Sequence, residues 1–352
     1  MSVFKTAVIG VGKAGAGSNA KGGGHQIGYA HGMMYQRIPR TRLVAAADIN
    51  AENLAAFQGK FAVERGFSDH RKMLAEVRPD IVSLCTYVGL HRGMIEDCAR
   101  AGVKGILCEK PFLPSPADCA AVRRVAAETG VKIVVAHFRR NRLAFRRARD
   151  LYNDGAIGQP VLCVAGVEGW DLSEWGSHWL DMFRFFHRDQ PIRWVFGQAR
   201  VRDSRGYGHA MEEHAIAYFE FENGGKGFLD GGRKMAGDQT MTLLGTEGQI
   251  QIFREAILRI DAPTGRRVED FSKEASEQGS QPWDRMLVDL IAWLEGRTEP
   301  ELGLTNMLKT SELNLAAYLS AVRGDRVDLP LRDDLAEWPV EILARRNTER
   351  KQ

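Results

Sequence analysis

Cysteine is scarce and poorly placed for chemistry: the chain has five, Cys85, Cys98, Cys108, Cys119 and Cys163, and no two are spaced CxxC. An odd number without paired spacing supplies neither a disulfide framework nor a zinc site. Cys85, Cys108 and Cys163 lie in apolar runs, as buried reduced thiols of a cytosolic protein do, so no resident metal and a cytoplasmic location are expected. Charge of one sign is lacking too. The 48 basic and 45 acidic residues leave a net charge of +3, which gives nucleic acid no reason to bind. No apolar run approaches membrane-spanning length, and the N-terminus lacks the charged-then-apolar pattern of a secretory signal. No membrane partner is expected, and no internal repeat is visible.

What is present is an ordinary globular composition, 44% hydrophobic and 26% charged over 352 residues, a length that suits two domains. In the first 136 residues short apolar strands alternate with helices. The strands are Thr6–Gly10, Leu43–Asp48, Ile81–Cys85, Gly105–Cys108 and Lys132–Ala136. The helices are Ala51–Phe61, His70–Val77, Leu90–Ala101 and Ala117–Thr129. Such alternation predicts a parallel sheet covered on both faces, a Rossmann-type domain over residues 1–136.

The first strand ends in Gly10-Val11-Gly12-Lys13-Ala14-Gly15, a formal GxGxxG, which makes a tight turn against a pyrophosphate and aims a helix N-terminus at it. Helical pattern resumes only at Gly28-Tyr29-Ala30-His31. Asp48, at the end of the second strand, lies 20 residues beyond Gly28 and 33 beyond Gly15. A ribose-binding acid falls about twenty residues past the glycine turn. Gly10 and Gly12 are therefore read as the turn and Gly28 as the third glycine, with Lys13–Ile27 inserted; Gly15 is the runner-up. Asp48 accepts from both ribose hydroxyls and repels a 2′-phosphate, so the expected cofactor is NAD rather than NADP.

The strand Gly105–Cys108 runs into Glu109-Lys110-Pro111. The proline stops the strand, leaving Lys110 at the carboxyl edge of the sheet where open α/β folds bind ligands. Beyond residue 136 the pattern changes to half-buried strands. Val161–Val167, Ile192–Val201, Ala215–Phe221, Gly227–Asp230, Met241–Gly245 and Gln249–Phe253 predict a large, mostly antiparallel open sheet within an α+β domain over residues 137–352. Helices are expected at Ser177–Phe186, Trp283–Leu294 and Asn306–Val322, and a loop at Thr264–Gln281.

Within the stretch 168–181, Glu174 and His178 are four residues apart and Asp181 three further on, one face of a helix. Histidine titrates near working pH and serves as a base, with a carboxylate to orient it; a structural histidine at an acidic helix start fits the same spacing. Trp170, Trp175 and Trp179 offer indole faces suited to a pyranose or cyclitol ring, or to core packing. Arg140 is a further candidate for a substrate contact, as is Arg233-Lys234.

Together the glycine turn, Gly28-Tyr29-Ala30-His31, Asp48, Thr86 with His91, and Cys108-Glu109-Lys110-Pro111 resemble the Gfo/Idh/MocA oxidoreductases, the glucose–fructose oxidoreductase and inositol dehydrogenase type. Val134–Arg140, Asn153–Pro160, Glu220–Gly225 and Leu244–Gly248 are similar to that family's segments. Two departures are the insert after Gly12 and Tyr87 where a proline is common. The resemblance implies that His31, Thr86, His91, Glu109 and Lys110 contact the cofactor. It implies a catalytic set of Lys110 and His178 with Glu174 at a position that is aspartate in the family. It also implies a homo-oligomer, a dimer or a tetramer. His178 is taken as general base, Lys110 as polarising the substrate hydroxyl and touching the nicotinamide ribose, and Glu174 as orienting substrate or His178. Trp170, Trp175, Asp181 and Arg140 are the substrate contacts. The expected activity is NAD-dependent oxidation of a secondary hydroxyl on a sugar, glycoside or inositol-like polyol. A redox enzyme that retains and recycles its NAD, and a non-catalytic nicotinamide-binding regulator, are the alternatives.

Overall fold

The computed structural model describes residues 2–13, 26–167, 172–206, 208–232, 238–273, 282–331 and 334–349. Its first sheet contains β1 (Phe4–Ile9), β2 (Thr41–Ala47), β3 (Arg65–Phe67), β4 (Ile81–Leu84), β5 (Gly105–Cys108) and β6 (Lys132–Val135). They lie in the order β3-β2-β1-β4-β5-β6, and every neighbouring pair is parallel. All residues of β4 and β5 are buried, the mark of strands covered on both faces. The covering helices are α1 (Ile27–Arg37), α2 (Ala51–Phe61), α3 (His70–Val77), α4 (Val88–Arg100) and α5 (Pro116–Thr129). Their starts are chemically marked. Asn50, Asp69 and Ser115 cap α2, α3 and α5 through side-chain oxygens, each satisfying an orphan N–H.

Register aligns the strand ends. Ile9 pairs with both Ala47 and Leu84, Leu84 with Cys108, and Cys108 with Val135. Gly10, Asp48, Thr86, Glu109 and Lys110 are thereby gathered along one edge. The order reverses between β1 and β4, the switch point at which such sheets bind ligands.

The second sheet has nine strands in the order β14-β13-β12-β11-β7-β10-β9-β8-β15. They are β7 (Pro160–Val167), β8 (Ile192–Gly206), β9 (His209–Phe221), β10 (Lys226–Gly231), β11 (Gln239–Gly245), β12 (Gln249–Phe253), β13 (Ile257–Ala262), β14 (Gly265–Asp270) and β15 (Val327–Asp328). All pairs are antiparallel except β7 with β10. One expectation is corrected here: Gly265–Asp270, read as loop, is an edge strand paired with β13. It is almost wholly exposed, so no apolar alternation betrays it; a charged edge strand reads like a loop. Residues 274–281 of that expected loop lie outside the described residues.

Helices α6 (Leu143–Asn153) and α7 (Gly176–Phe186) lie beside this sheet, and every residue of α7 is buried. Helix Pro282–Leu294, although far along the chain, packs against β5 and β6, and its Met286, Leu287, Leu290 and Ile291 join the first core. Each such fully buried aliphatic side chain stabilises the fold by about 1.5–3 kcal/mol. The packing of the first sheet thus recruits a helix from beyond residue 136, where the sequence pattern changes.

Candidate active site

Two adjoining cavities run along the carboxyl edge of the parallel sheet. The first, about 440 Å³, is lined by Gly10, Gly12, Asp48, Asn50, Thr86 and Tyr87, among others. The second, about 230 Å³, is lined by Glu109, Lys110, Arg139, Glu174, Trp175 and His178, with Phe138 and Trp283. Thr86 and Tyr87 line both.

The first cavity fits a dinucleotide. Gly10 and Gly12 adopt φ of +82° and +70°, a region glycine enters without penalty. A Cβ at Gly10 would lie 2.6 Å from Thr86 Cγ2 and 2.9 Å from the Cys85 carbonyl oxygen. Gly28 meets the third-glycine requirement: a Cβ there would lie 2.8 Å from Val11 Cα, so only glycine lets α1 approach the turn. Gly15 and most of the Lys13–Ile27 insert lie outside the described residues. The Asp48 carboxylate accepts from Gly12 N (3.1 Å) and Asn50 N (2.8 Å). These bonds fix an anion at the end of β2.

In the second cavity, Lys110 Nζ donates to the Glu174 carbonyl oxygen (2.9 Å) and lies 3.5 Å from Glu174 Oε2. It also sits 5.7 Å from the centre of the Trp175 ring. The Glu174 to His178 spacing does place both side chains on this cavity's wall with Lys110. His178 is 4% exposed, and its Nδ1 has no hydrogen-bond partner among the described residues. Burial drives its pKa well below the usual histidine value, and the charges of Arg139, Lys110 and His137 push it further down. His178 is therefore a neutral imidazole at neutral pH, able to accept a proton.

The structure places four of the expected contacts, Arg140, Asp181, His31 and His91, outside the lining of the two cavities. Arg140 lines neither cavity. Its fully buried guanidinium holds Asp181 through two 2.8 Å bonds and Asp189 through bonds of 2.7 and 2.8 Å. With its donors spent on these carboxylates, it has no fork left for substrate. Asp181 is likewise at 0% exposure and also accepts from Thr310 Oγ1 at 2.9 Å. Asp181, one turn along α7 from His178, faces inward instead of into the cavity. His31 and His91 lie behind the cofactor cavity rather than in it. His31 is bonded to Ser83 Oγ (2.8 Å) and Glu109 Oε1 (2.9 Å). The ring nitrogens of His91 lie 2.9 Å from Phe112 O and 3.0 Å from Thr86 O, between the two loops that carry Thr86 and Pro111. Glu109 itself reaches the second cavity. Burial pushes its carboxyl pKa up, but the His31 bond and the nearby Lys110 outweigh this and hold it low.

Trp175 lines the cavity, Trp179 lies buried beside it, and Trp170 lies outside the described residues, as does Arg233-Lys234. Reading the sequence missed Arg139, Phe138 and Trp283. Phe138 and Trp283 stack at 4.4 Å between ring centroids, across a sequence separation that no periodicity exposes. Arg139 is the immediate neighbour of Arg140; only the short 3₁₀ turn at Phe138–Asn141 decides which of the two faces the cavity.

Residues 4–137 match the model of an oxidoreductase family with an NAD-binding Rossmann fold, and residues 145–251 match the GFO/IDH/MocA C-terminal domain. The chain is similar to D-apiose dehydrogenase of Paraburkholderia graminis, at 27% identity over 84% of this chain and 85% of that protein. It is similar to inositol 2-dehydrogenase of Rhizobium meliloti, at 26% identity over 69% of this chain and 77% of that protein. Among solved structures, the WlbA dehydrogenase from Bordetella pertussis, in complex with NADH and UDP-GlcNAcA, shares the fold. Its TM-score is 0.74 at 21% identity, over 94% of this chain and 99% of that one. With a glycine-turn cavity made for a dinucleotide, a lysine and a neutral histidine beside it, and matching segments in both domains, this chain belongs to the Gfo/Idh/MocA family of NAD-binding oxidoreductases.

Proposed function

We propose that this protein oxidises or reduces a secondary hydroxyl or ketone of a single-ring sugar or polyol, with His178 and Lys110 handling the proton. The observation that carries this reading is the meeting of Lys110, Glu174 and His178 in one cavity that shares Thr86 and Tyr87 with the dinucleotide cavity. Bound there, NAD supplies the hydride acceptor. At about 230 Å³ the second cavity falls below the roughly 300–1,000 Å³ of drug-sized sites, which suits one ring better than two. The names of the relatives, an apiose and an inositol dehydrogenase, agree with that class.

Neutral His178 takes the hydroxyl proton as hydride leaves the carbon; such positioned proton transfer is worth about 10²- to 10⁴-fold in rate. The Lys110 ammonium, held by Glu174, donates to the same substrate oxygen and stabilises its developing negative charge. Trp175 gives the ring an apolar face. The open sheet offers a surface for a second copy of the chain, and we place the protein among homo-oligomers on the resemblance.

The test is near-ultraviolet absorbance of reduced nicotinamide, with purified protein, excess NAD and a panel of inositols, aldoses, sugar acids and glycosides. Signal that keeps growing with one ligand supports the reading. A rise that stops near one equivalent per subunit points instead to retained, recycled cofactor. Silence across the panel, with NAD bound, favours a non-catalytic regulator.

A further inference from the structure

The wall of the second cavity carries, besides Lys110, a cation to which the proposed chemistry gives no contact with substrate. Arg139 is 7% exposed and lines the cavity with Lys110 and His178. Its Nε donates to Glu255 Oε1 at 2.8 Å, and among the described residues its two terminal nitrogens make no hydrogen bond. Glu255 is itself shared: its other oxygen lies 2.8 Å from Arg142 Nε. On this wall two guanidinium groups divide one carboxylate. Burial lowers the Arg139 pKa, and the bond to Glu255 does not fully offset it. The group is thus a buried cation short of negative charge, and burying an underpaired charge is costly.

Its geometry is also set in advance. The guanidinium carbon sits 4.9 Å from the Trp179 ring centre, 5.2 Å from Phe138 and 5.8 Å from Trp175. Cation–aromatic contacts of this kind contribute about 0.5–2 kcal/mol each and restrain where the group sits. Glu255 occupies the Nε side, so the free edge is the end-on fork of Nη1 and Nη2. Two parallel N–H donors match a planar carboxylate.

We propose that Arg139 binds a carboxylate carried by the substrate, making the natural substrate an acidic sugar or polyol. This rests on the functional reading above, and narrows it. The carboxylate docks against the Trp175 and Trp179 side while the reacting hydroxyl meets Lys110 and His178. Arg139 is then a specificity residue and takes no part in the proton transfer.

The experiment pairs acids with neutral counterparts of the same configuration, D-gluconate with D-glucitol and D-glucuronate with D-glucose, and adds the sugar 6-phosphates. Two readouts are taken: reduction of NAD, and quenching of tryptophan fluorescence on titration with NADH present, which needs no turnover. A charge-assisted pair in a buried site implies roughly 10- to 100-fold preference for the acid. That preference is expected to vanish in Arg139→Gln and to persist, weakened, in Arg139→Lys. Equal use or equal binding of acid and neutral forms by the native protein overturns the inference and leaves the oxidoreductase reading standing. Preference for the phosphates overturns the carboxylate assignment. If Arg139→Gln fails to fold, the Arg139→Lys titration and the native preference still decide.

Discussion

His31 Nε2 lies 2.9 Å from Glu109 Oε1, with His31 at 0% and Glu109 at 5% exposure. Behind them, Ser83 Oγ is 2.8 Å from His31 Nδ1, and Tyr35 Oη is 2.6 Å from Ser83 Oγ. Because Glu109 is held in its ionised form, the bond to it must be donated by His31. Ser83 Oγ thus bridges the other ring nitrogen of His31 and the Tyr35 hydroxyl. The other oxygen of the Glu109 carboxylate accepts from Lys110 N at 3.3 Å.

His31→Leu removes the donor and leaves a buried carboxylate underpaired, a loss of about 1–3 kcal/mol. The Glu109 pKa is depressed in the folded protein, so its stabilising contribution is present above the unfolded carboxyl value and lost as pH falls through the folded one. The variant should therefore be less stable than the native protein at pH 7, and the gap should close in acid. Thermal unfolding midpoints of both proteins from neutral to acidic pH check this; a gap constant with pH would mean that Glu109 is not the group involved.

The neutral state of His178 has a kinetic signature. Its pKa is lowered by burial and then by Arg139, Lys110 and His137. The acid limb of kcat/KM due to this group should lie below the ordinary histidine value of about 6.5. Arg139→Gln removes one of the cations and should move that limb upward. His178→Ala should cut turnover by about 10²- to 10⁴-fold with NAD affinity little changed, and equal losses in both would indicate a structural role instead.

Four buried histidines make stability depend on pH. His137 and His187 are pushed down to about 4, and His91 and His178 are also lowered, burial being the largest cause in each. Unfolded, each takes up a proton near pH 6.5. Stability is thus full above that value and erodes as pH falls toward the folded pKa values, by up to about 1.4 kcal/mol per pH unit for each histidine. Urea unfolding at a series of pH values should show the decline beginning near pH 6.5, rather than in the carboxylate range alone.

Arg140→Met separates structure from recognition. It strands Asp181 and Asp189, whose charges Arg140 holds, and breaking a buried pair this way costs about 3–5 kcal/mol. A large fall in the unfolding midpoint is expected, with KM of the folded fraction close to native. An unchanged midpoint with a raised KM would return Arg140 to the substrate.

The first domain was legible in the sequence because both of its signals are local. Apolar runs such as Ile81–Leu84 and Gly105–Cys108 need no knowledge of their neighbours to read as buried strands. Gly10, Gly12, Gly28 and Asp48 follow from spacing imposed by a turn and one strand–helix–strand unit. The four-residue spacing likewise brought together Glu174, in the turn just before α7, and His178 in the first turn of that helix.

What the tertiary structure alone decided is which way charged and aromatic groups face once distant segments meet. Adjacent Arg139 and Arg140 part at a single 3₁₀ turn, one to the cavity and one to Asp181 and Asp189. Trp283 enters the site from a helix that crosses back onto the first sheet, and His31 is turned inward by Ser83 and Glu109, remote from it in sequence. A cavity wall is a property of packing between elements, and sequence periodicity reports only one element at a time.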